Sequence, residues 1–95
     1  MRIISGEFKG RKILLPKDKL TRPLKDIVKE SIFNMLEHSN LFYFKIRNAN
    51  VLDLFSGSGS FGLECISRGA SHVIFFENYP AAISDLNKNI DKLNC

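Results

Sequence analysis

Gly57, Gly59 and Gly62 fall on the spacing G-x-G-x-x-G, and a carboxylate, Glu77, follows Gly57 by twenty positions. Residues of these types could hold a nucleotide-like ligand. Missing side chains let the chain turn sharply and let a ligand approach the backbone, while an acid at that distance accepts hydrogen bonds from ribose hydroxyls. The bare pattern is weak, because glycines at this spacing also arise in ordinary turns. Its surroundings strengthen it. Val51 to Phe55 is a short apolar run suited to a buried parallel strand, Phe61 to Ile66 has helical spacing, and His72 to Phe76 reads as a second buried strand ending in Glu77. The glycine turn therefore joins a strand to a helix whose free N–H groups face the ligand. A solvated strand end or a helix cap is an equally weighted reading of Glu77. Asp53, inside an apolar run, is costly to bury without hydrogen bonds, which places it at the strand's C-terminal mouth, holding either the turn or a ligand.

The elements that must position these residues are few. Ninety-five residues with 44% hydrophobic content and eight phenylalanines suffice for one small domain with a core. A doubly wound fold usually needs more chain, and only two parallel strands can be counted after residue 50. The chain is thus expected to be one end of a larger domain or to complete its sheet with another copy. The net charge of +4 is uneven: residues 1–30 hold nine Lys or Arg against four acids, and residues 48–95 hold three against five. The basic front suggests an anionic macromolecule, nucleic acid before a membrane surface, against the plain reading of a solvated charged face. Cys65 and Cys95 are too few and too unpatterned for a disulfide framework or zinc site, and read as reduced thiols of a cytoplasmic protein, with Cys65 in the core. His38 and His72 lack partners at metal-ligand spacing, so no metal is expected. The charged N-terminus does not suit a signal peptide, and no window has the length to cross a bilayer.

Taken in order, Arg2 to Leu15 reads as short strands separated by glycine turns, a small β-hairpin ending at Pro16. Its cations Arg2, Lys9, Arg11 and Lys12 suit phosphate contacts. Residues 17–20 form a polar connector. From Pro23 the pattern is helical: Leu24, Ile27, Val28, Ser31, Ile32, Met35 and Leu36 form the expected core stripe, with Lys25, Asp26, Lys29 and Glu30 opposite, and Asn40 makes a plausible stop. Residues 41–47 are an aromatic connector whose Phe42 to Phe44 suit packing better than base stacking. Gly69 is a natural left-handed C-cap, and Tyr79-Pro80 opens a last helix with Ala81, Ala82, Ile83, Leu86, Ile90 and Leu93 at core spacing.

These segments together resemble a known family. Met1-Arg2-Ile3-Ile4-Ser5-Gly6 with Lys9-Gly10-Arg11-Lys12, then Arg22-Pro23 leading to Val28 through Leu36, then Leu52-Asp53-Leu54-Phe55-Ser56-Gly57-Ser58-Gly59, are similar to the RsmD-type 16S ribosomal RNA (guanine N2) methyltransferases. Gly62-Leu63-Glu64, Ser67-Arg68-Gly69-Ala70 and Glu77 extend the resemblance over nearly the whole chain. It implies an α/β fold: the N-terminal half of a Rossmann-like S-adenosylmethionine-dependent methyltransferase domain (residues 21–95), preceded by a basic hairpin extension (residues 1–20). It also implies a cofactor site at Asp53, Phe55, Gly57, Ser58, Gly59 and Glu77, with Glu77 on the ribose hydroxyls. The hairpin cations would contact 16S ribosomal RNA or the small ribosomal subunit, with Arg22 near the active-site mouth.

Two departures bear on function. Leu24 stands where the family usually has a threonine that caps the helix. The family also presents the weakly nucleophilic guanine amino group with an Asn or Asp followed by Pro-Pro and an aromatic residue. The only prolines here are Pro16, Pro23 and Pro80. No catalytic residue is therefore assigned, and the chain alone is expected to be inactive. The alternative is a non-catalytic RNA-binding or dimerising module with a vestigial cofactor loop; a nicotinamide-dependent oxidoreductase fragment is a remoter third. A sheet cut after two strands exposes an edge, and homodimerisation through that edge is expected.

Overall fold

A computed structural model of the chain describes residues 1–15, 26–38, 45–54 and 56–95. The expectations placed on Pro16, the 17–20 connector, Arg22, Pro23, Leu24, Lys25, the Asn40 stop, residues 41–44 and Phe55 lie outside the described residues. The elements are α1 (Asp26–His38), β1 (Asn50–Leu54), α2 (Ser60–Ser67), β2 (His72–Phe76) and α3 (Pro80–Leu93). Among them, no helix is long and apolar enough to cross a membrane.

β1 and β2 pair in parallel, from Asn50 opposite His72 to Leu54 opposite Phe76. Successive side chains on a strand point to opposite faces. Val51, Asp53, Val73 and Phe75 share the face that α2 covers, where a Cβ at Gly62 would lie 2.9 Å from Phe75 Cζ and Val73 Cγ1. Gly62 is thus the close helix–strand contact of the motif. Leu52, Leu54, Ile74 and Phe76 share the other face and are 55–64% exposed. The apolar runs predict strands buried on both faces; each is covered on one face only, because all three described helices leave the second face bare.

α2 is the centre of the packing. Leu63 meets Ile3, Ile13 and Leu93, while Cys65 meets Phe33 and Ile46 on the other flank. The helix ends in a Schellman turn, with the Gly69 N–H bonded to the Ile66 carbonyl and the Ala70 N–H to that of Cys65. α3 begins with Pro80 at its first position and ends at Asn94, which adopts the left-handed conformation.

Three expectations are corrected. On α1 the buried residues are Lys29 and Phe33; of the expected core stripe Leu36 packs against the core and Ile32 is half-buried, while Ile27, Val28, Ser31 and Met35 are exposed, Ile27 by 72%. Phe33 stacks on Phe61 at 4.8 Å, and Lys29 is drawn inward by a carboxylate on α2. The N-terminal hairpin is a single antiparallel bridge, Arg2 to Lys12, rather than paired strands. Three backbone bonds cross it, from the N–H groups of Ile3, Ile13 and Gly10 to the carbonyls of Arg11, Met1 and Ile3, while between them the chain turns to α2: the N–H groups of Ile4 and Ser5 go to the Glu64 carboxylate, that of Phe8 to Ser67 Oγ, and that of Glu7 to the Ser67 carbonyl. On α3, Ala81 is exposed and Asn89 takes a core position beside Ala82, Leu86 and Leu93.

Candidate functional site

The glycine turn sits at the C-terminal ends of both strands. Ser56 N–H bonds the Phe76 carbonyl at 3.1 Å, which carries the parallel pairing one step beyond β1, and Gly59 N–H bonds the Ser56 carbonyl at 2.9 Å. Gly57 (φ 56°) and Gly59 (φ 94°) take the left-handed backbone that side chains disfavour. Their surroundings differ. A Cβ at Gly59 would collide with Leu86, whereas a Cβ at Gly57 would meet nothing within 4 Å. Gly59 therefore serves packing, and the open side of the turn lies at Gly57.

Two carboxylates hold this turn. Gly59, the residue before α2, has no side chain to cap the helix, and Asp53 on β1 supplies the missing oxygen: its Oδ2 accepts the Gly62 N–H at 3.0 Å. Of the two tasks expected for Asp53, holding the turn is the one its geometry fills. Burial pushes the Asp53 carboxyl above its usual range, the Gly62 N–H pulls it down, and the nearby Glu77 charge adds to the rise. Glu77 lies just past β2, where Oε1 accepts the Gly57 N–H at 2.8 Å and Oε2 accepts the N–H groups of Tyr79 and Asn78 at 2.9 and 3.0 Å. It thus tethers the turn and the approach to α3 at once. The backbone donors of Tyr79 and Gly57 hold its carboxyl below the usual range, so it stays ionised. Glu77 remains partly exposed.

These residues fit a ligand that needs close backbone approach and an anionic acceptor. The space at Gly57 is open, Glu77 is charged beside it, and the buried Ser56 Oγ has no hydrogen-bond partner among the described residues. Ser58, buried, sits between the two glycines. The structure brings together Asp53, Gly57, Ser58, Gly59 and Glu77; Phe55 lies outside the described residues. Among the described residues, no three His, Cys, Asp or Glu side chains could hold a metal ion.

The described basic residues of the front segment differ in what they touch, although Arg2 and Lys12 stand opposite each other in the bridge. Arg2 and Lys9 line a depression with Ile3, Ile4, Gly10 and Glu30. Arg11 and Lys12 lie against the end of α3, where Arg11 Nη2 donates to the Lys92 carbonyl at 2.9 Å and Lys92 Nζ donates to the Lys12 carbonyl at 3.3 Å. Arg11 therefore satisfies a terminal carbonyl of α3, a task the sequence reading did not foresee. Arg22 lies outside the described residues.

Sequence reasoning also missed the group that docks this segment. Lys29 and Glu64 both have fully buried side chains, 3.3 Å apart; Lys29 Nζ also donates to the Arg2 carbonyl and to Ser60 Oγ. Glu64 Oε2 accepts Arg68 Nε at 2.8 Å, and Arg68 reaches on to Glu37 at 2.7 Å while lying 4.5 Å over the Phe33 ring. Such a buried charge cluster is tolerated because nearly every polar atom has a partner. The i, i+4 spacing of Glu64 and Arg68 was the one visible signal.

A family model described as "Conserved hypothetical protein 95" matches residues 1–95. The chain is 40% identical over 95 residues to the ribosomal RNA small subunit methyltransferase D of Haemophilus influenzae, covering 100% of this chain and 46% of that protein. To the protein of the same name from Escherichia coli K12 it is 39% identical over 93 residues, covering 98% and 44%. Among solved structures it superposes on the E. coli methyltransferase candidate yhhF with a TM-score of 0.82 at 36% identity, covering 100% and 47%. It also superposes on a hypothetical protein of Thermus thermophilus, TTHA0928, with a TM-score of 0.79 at 29% identity, covering 99% and 50%. The chain spans about half the length of the curated relatives it matches. The expected Rossmann-like half-fold and the motif resemblance are both borne out, and the chain belongs to the Conserved hypothetical protein 95 family, whose model it matches from its first residue to its last.

Proposed function

We propose that residues 1–95 are the cofactor-binding, RNA-facing half of an S-adenosylmethionine-dependent enzyme that methylates guanine N2 of 16S ribosomal RNA in the cytoplasm. The observation that carries this reading is the turn itself: an unobstructed Gly57 with an ionised carboxylate, Glu77, bonded to its N–H. The relatives' names supply the reaction class. S-adenosylmethionine, when bound, supplies the electrophilic methyl group. Asp53 fixes the turn against α2, Gly57 offers its backbone for close approach with Ser58 and Gly59 completing the turn, Phe55 belongs to the same site by the family resemblance, and Glu77 accepts from the ribose hydroxyls. S-adenosylmethionine has no pyrophosphate, so the turn serves proximity rather than anion binding. Arg2, Lys9, Arg11, Lys12 and Arg22 of the front extension, residues 1–20 and their continuation, contact RNA phosphates. The Asn/Asp-Pro-Pro-aromatic group that presents the guanine amino nitrogen would come from chain beyond these residues.

Calorimetric titration of S-adenosylmethionine into the chain tests the cofactor reading. Saturable binding that weakens about tenfold or more in Glu77→Ala is expected, the loss of charge-assisted hydrogen bonds being worth roughly 1.5–3 kcal/mol. No binding heat in the unaltered chain overturns a preformed half-site.

A second reading, self-association, is favoured by the bare apolar sheet face and by the strand edges, which have no partner among the described residues. Sedimentation across a dilution series should give a concentration-dependent mass; a clean monomer throughout refutes it.

A further inference from the structure

Asn89 on α3 is 1% exposed and joins two segments far apart in the chain. Its Oδ1 accepts the Leu14 N–H at 2.7 Å, and its Nδ2 donates to the Leu14 carbonyl at 3.0 Å and to the Ser58 carbonyl at 2.9 Å. A carboxamide nitrogen carries two hydrogens, and both are used. The side chain thus pairs with Leu14 as a neighbouring strand would, and with its second hydrogen grips the middle of the glycine turn. In a buried setting a hydrogen bond left unmade is costly. A movement of the Ser58 carbonyl must therefore carry the amide, and with it Leu14, or break a bond.

The segment Arg11 to Leu15 is also bound to α3 through Arg11 and Lys12, but those contacts end at Lys92 and do not touch the turn. The described hydrogen bonds offer one direct link between the turn and this segment, and Asn89 is that link. Leu14 also stands near the start of the stretch leading to Arg22.

We propose that Asn89 is a positioning residue that couples occupancy of the glycine turn to the placement of the basic segment Arg11 to Leu15, so that ligand at the turn and RNA at the segment strengthen each other's binding. The inference rests on the reading of the turn as an S-adenosylmethionine site and of the front segment as an RNA contact. Linkage makes the coupling reciprocal.

The test is a titration of the nitrogen-15-labelled chain with S-adenosylmethionine, following backbone amide resonances. In the unaltered chain, Gly57, Ser58 and Gly59 should shift, and Leu14 should shift with the same saturation. Asn89→Asp keeps an acceptor for the Leu14 N–H but has no hydrogens for the Leu14 and Ser58 carbonyls. In it the turn should still shift while the Leu14 response is lost. Arg11→Ala, which cuts only the contact to Lys92, should keep the Leu14 response and serves as the second variant if Asn89→Asp does not fold. Shifts at the turn without any at Leu14 overturn the coupling and leave the cofactor reading standing. A Leu14 response that survives Asn89→Asp, or that disappears in Arg11→Ala, also overturns it. No shift anywhere refutes the cofactor reading and the coupling with it.

Discussion

Glu64 and Glu77 perform the same local act in two regions with opposite outcomes. Each carboxylate gathers backbone N–H groups: Glu64 takes Ile4 and Ser5 of one distant segment, and Glu77 takes Gly57 together with its own neighbours Asn78 and Tyr79. Glu64 is then closed off by Lys29 and Arg68 and has no exposed surface. Glu77 has no cation against it among the described residues and stays partly exposed beside the open flank of Gly57. A carboxylate sealed by cations has become part of the framework. One held only by backbone donors keeps its charge available at the surface, and this separates a docking joint from a candidate binding site.

The comparison breaks most visibly at Glu64. Glu64→Ala leaves Lys29 as a buried charge without its main partner and frees two N–H groups, at a cost of about 3–5 kcal/mol. Set against the few kcal/mol that stabilise a small domain, this should unfold much of the chain, as a large fall in the urea midpoint would report. Glu77→Gln should instead lower stability by only about 1 kcal/mol while abolishing most S-adenosylmethionine affinity. If the two variants lose stability equally, the distinction between joint and site fails.

Acid sharpens the same contrast. The Glu77 carboxyl is depressed in the folded chain, so its contribution is fully present above its ordinary value of 4.5 and is lost as pH falls through the lower folded value. Asp53 is raised, so its ionised form opposes folding above its ordinary value and this opposition fades as pH falls through the raised one. Urea midpoints of the unaltered chain and Glu77→Gln should accordingly converge in acid and diverge toward neutrality. The smallest expected effect is at the cysteines. Burial pushes the Cys65 thiol up to about 12, whereas Cys95 is exposed. A thiol reagent at pH 8 should titrate one cysteine in the folded chain and two in denaturant, and partial Cys65 reactivity in Glu64→Gln would place the first opening around α2.

Much of the site was legible because its signals are local. Glycine spacing, the apolar runs before it and the acid after β2 reflect backbone requirements within a few residues, and the turn, Gly69 and Pro80 stand where those requirements put them. The face of α1 was misread for the complementary reason. Apolar periodicity ranks Ile27 and Met35 as core and Lys29 as surface, yet Lys29 is buried because Glu64, Ser60 and the Arg2 carbonyl converge on its ammonium. Asn89 was hidden similarly: a polar residue in a helix reads as exposed unless its distant partners are known.

The sequence by itself determined the order of the elements, the glycine turn and the acid facing it, since each depends on conformational limits of neighbouring residues. Only the tertiary structure decided which face of each helix is buried, which carboxylate is sealed and which stays open, and how Asn89 ties Leu14 to Ser58. Those outcomes depend on desolvation, and a charge or amide is buried only where the fold assembles every hydrogen-bond partner around it.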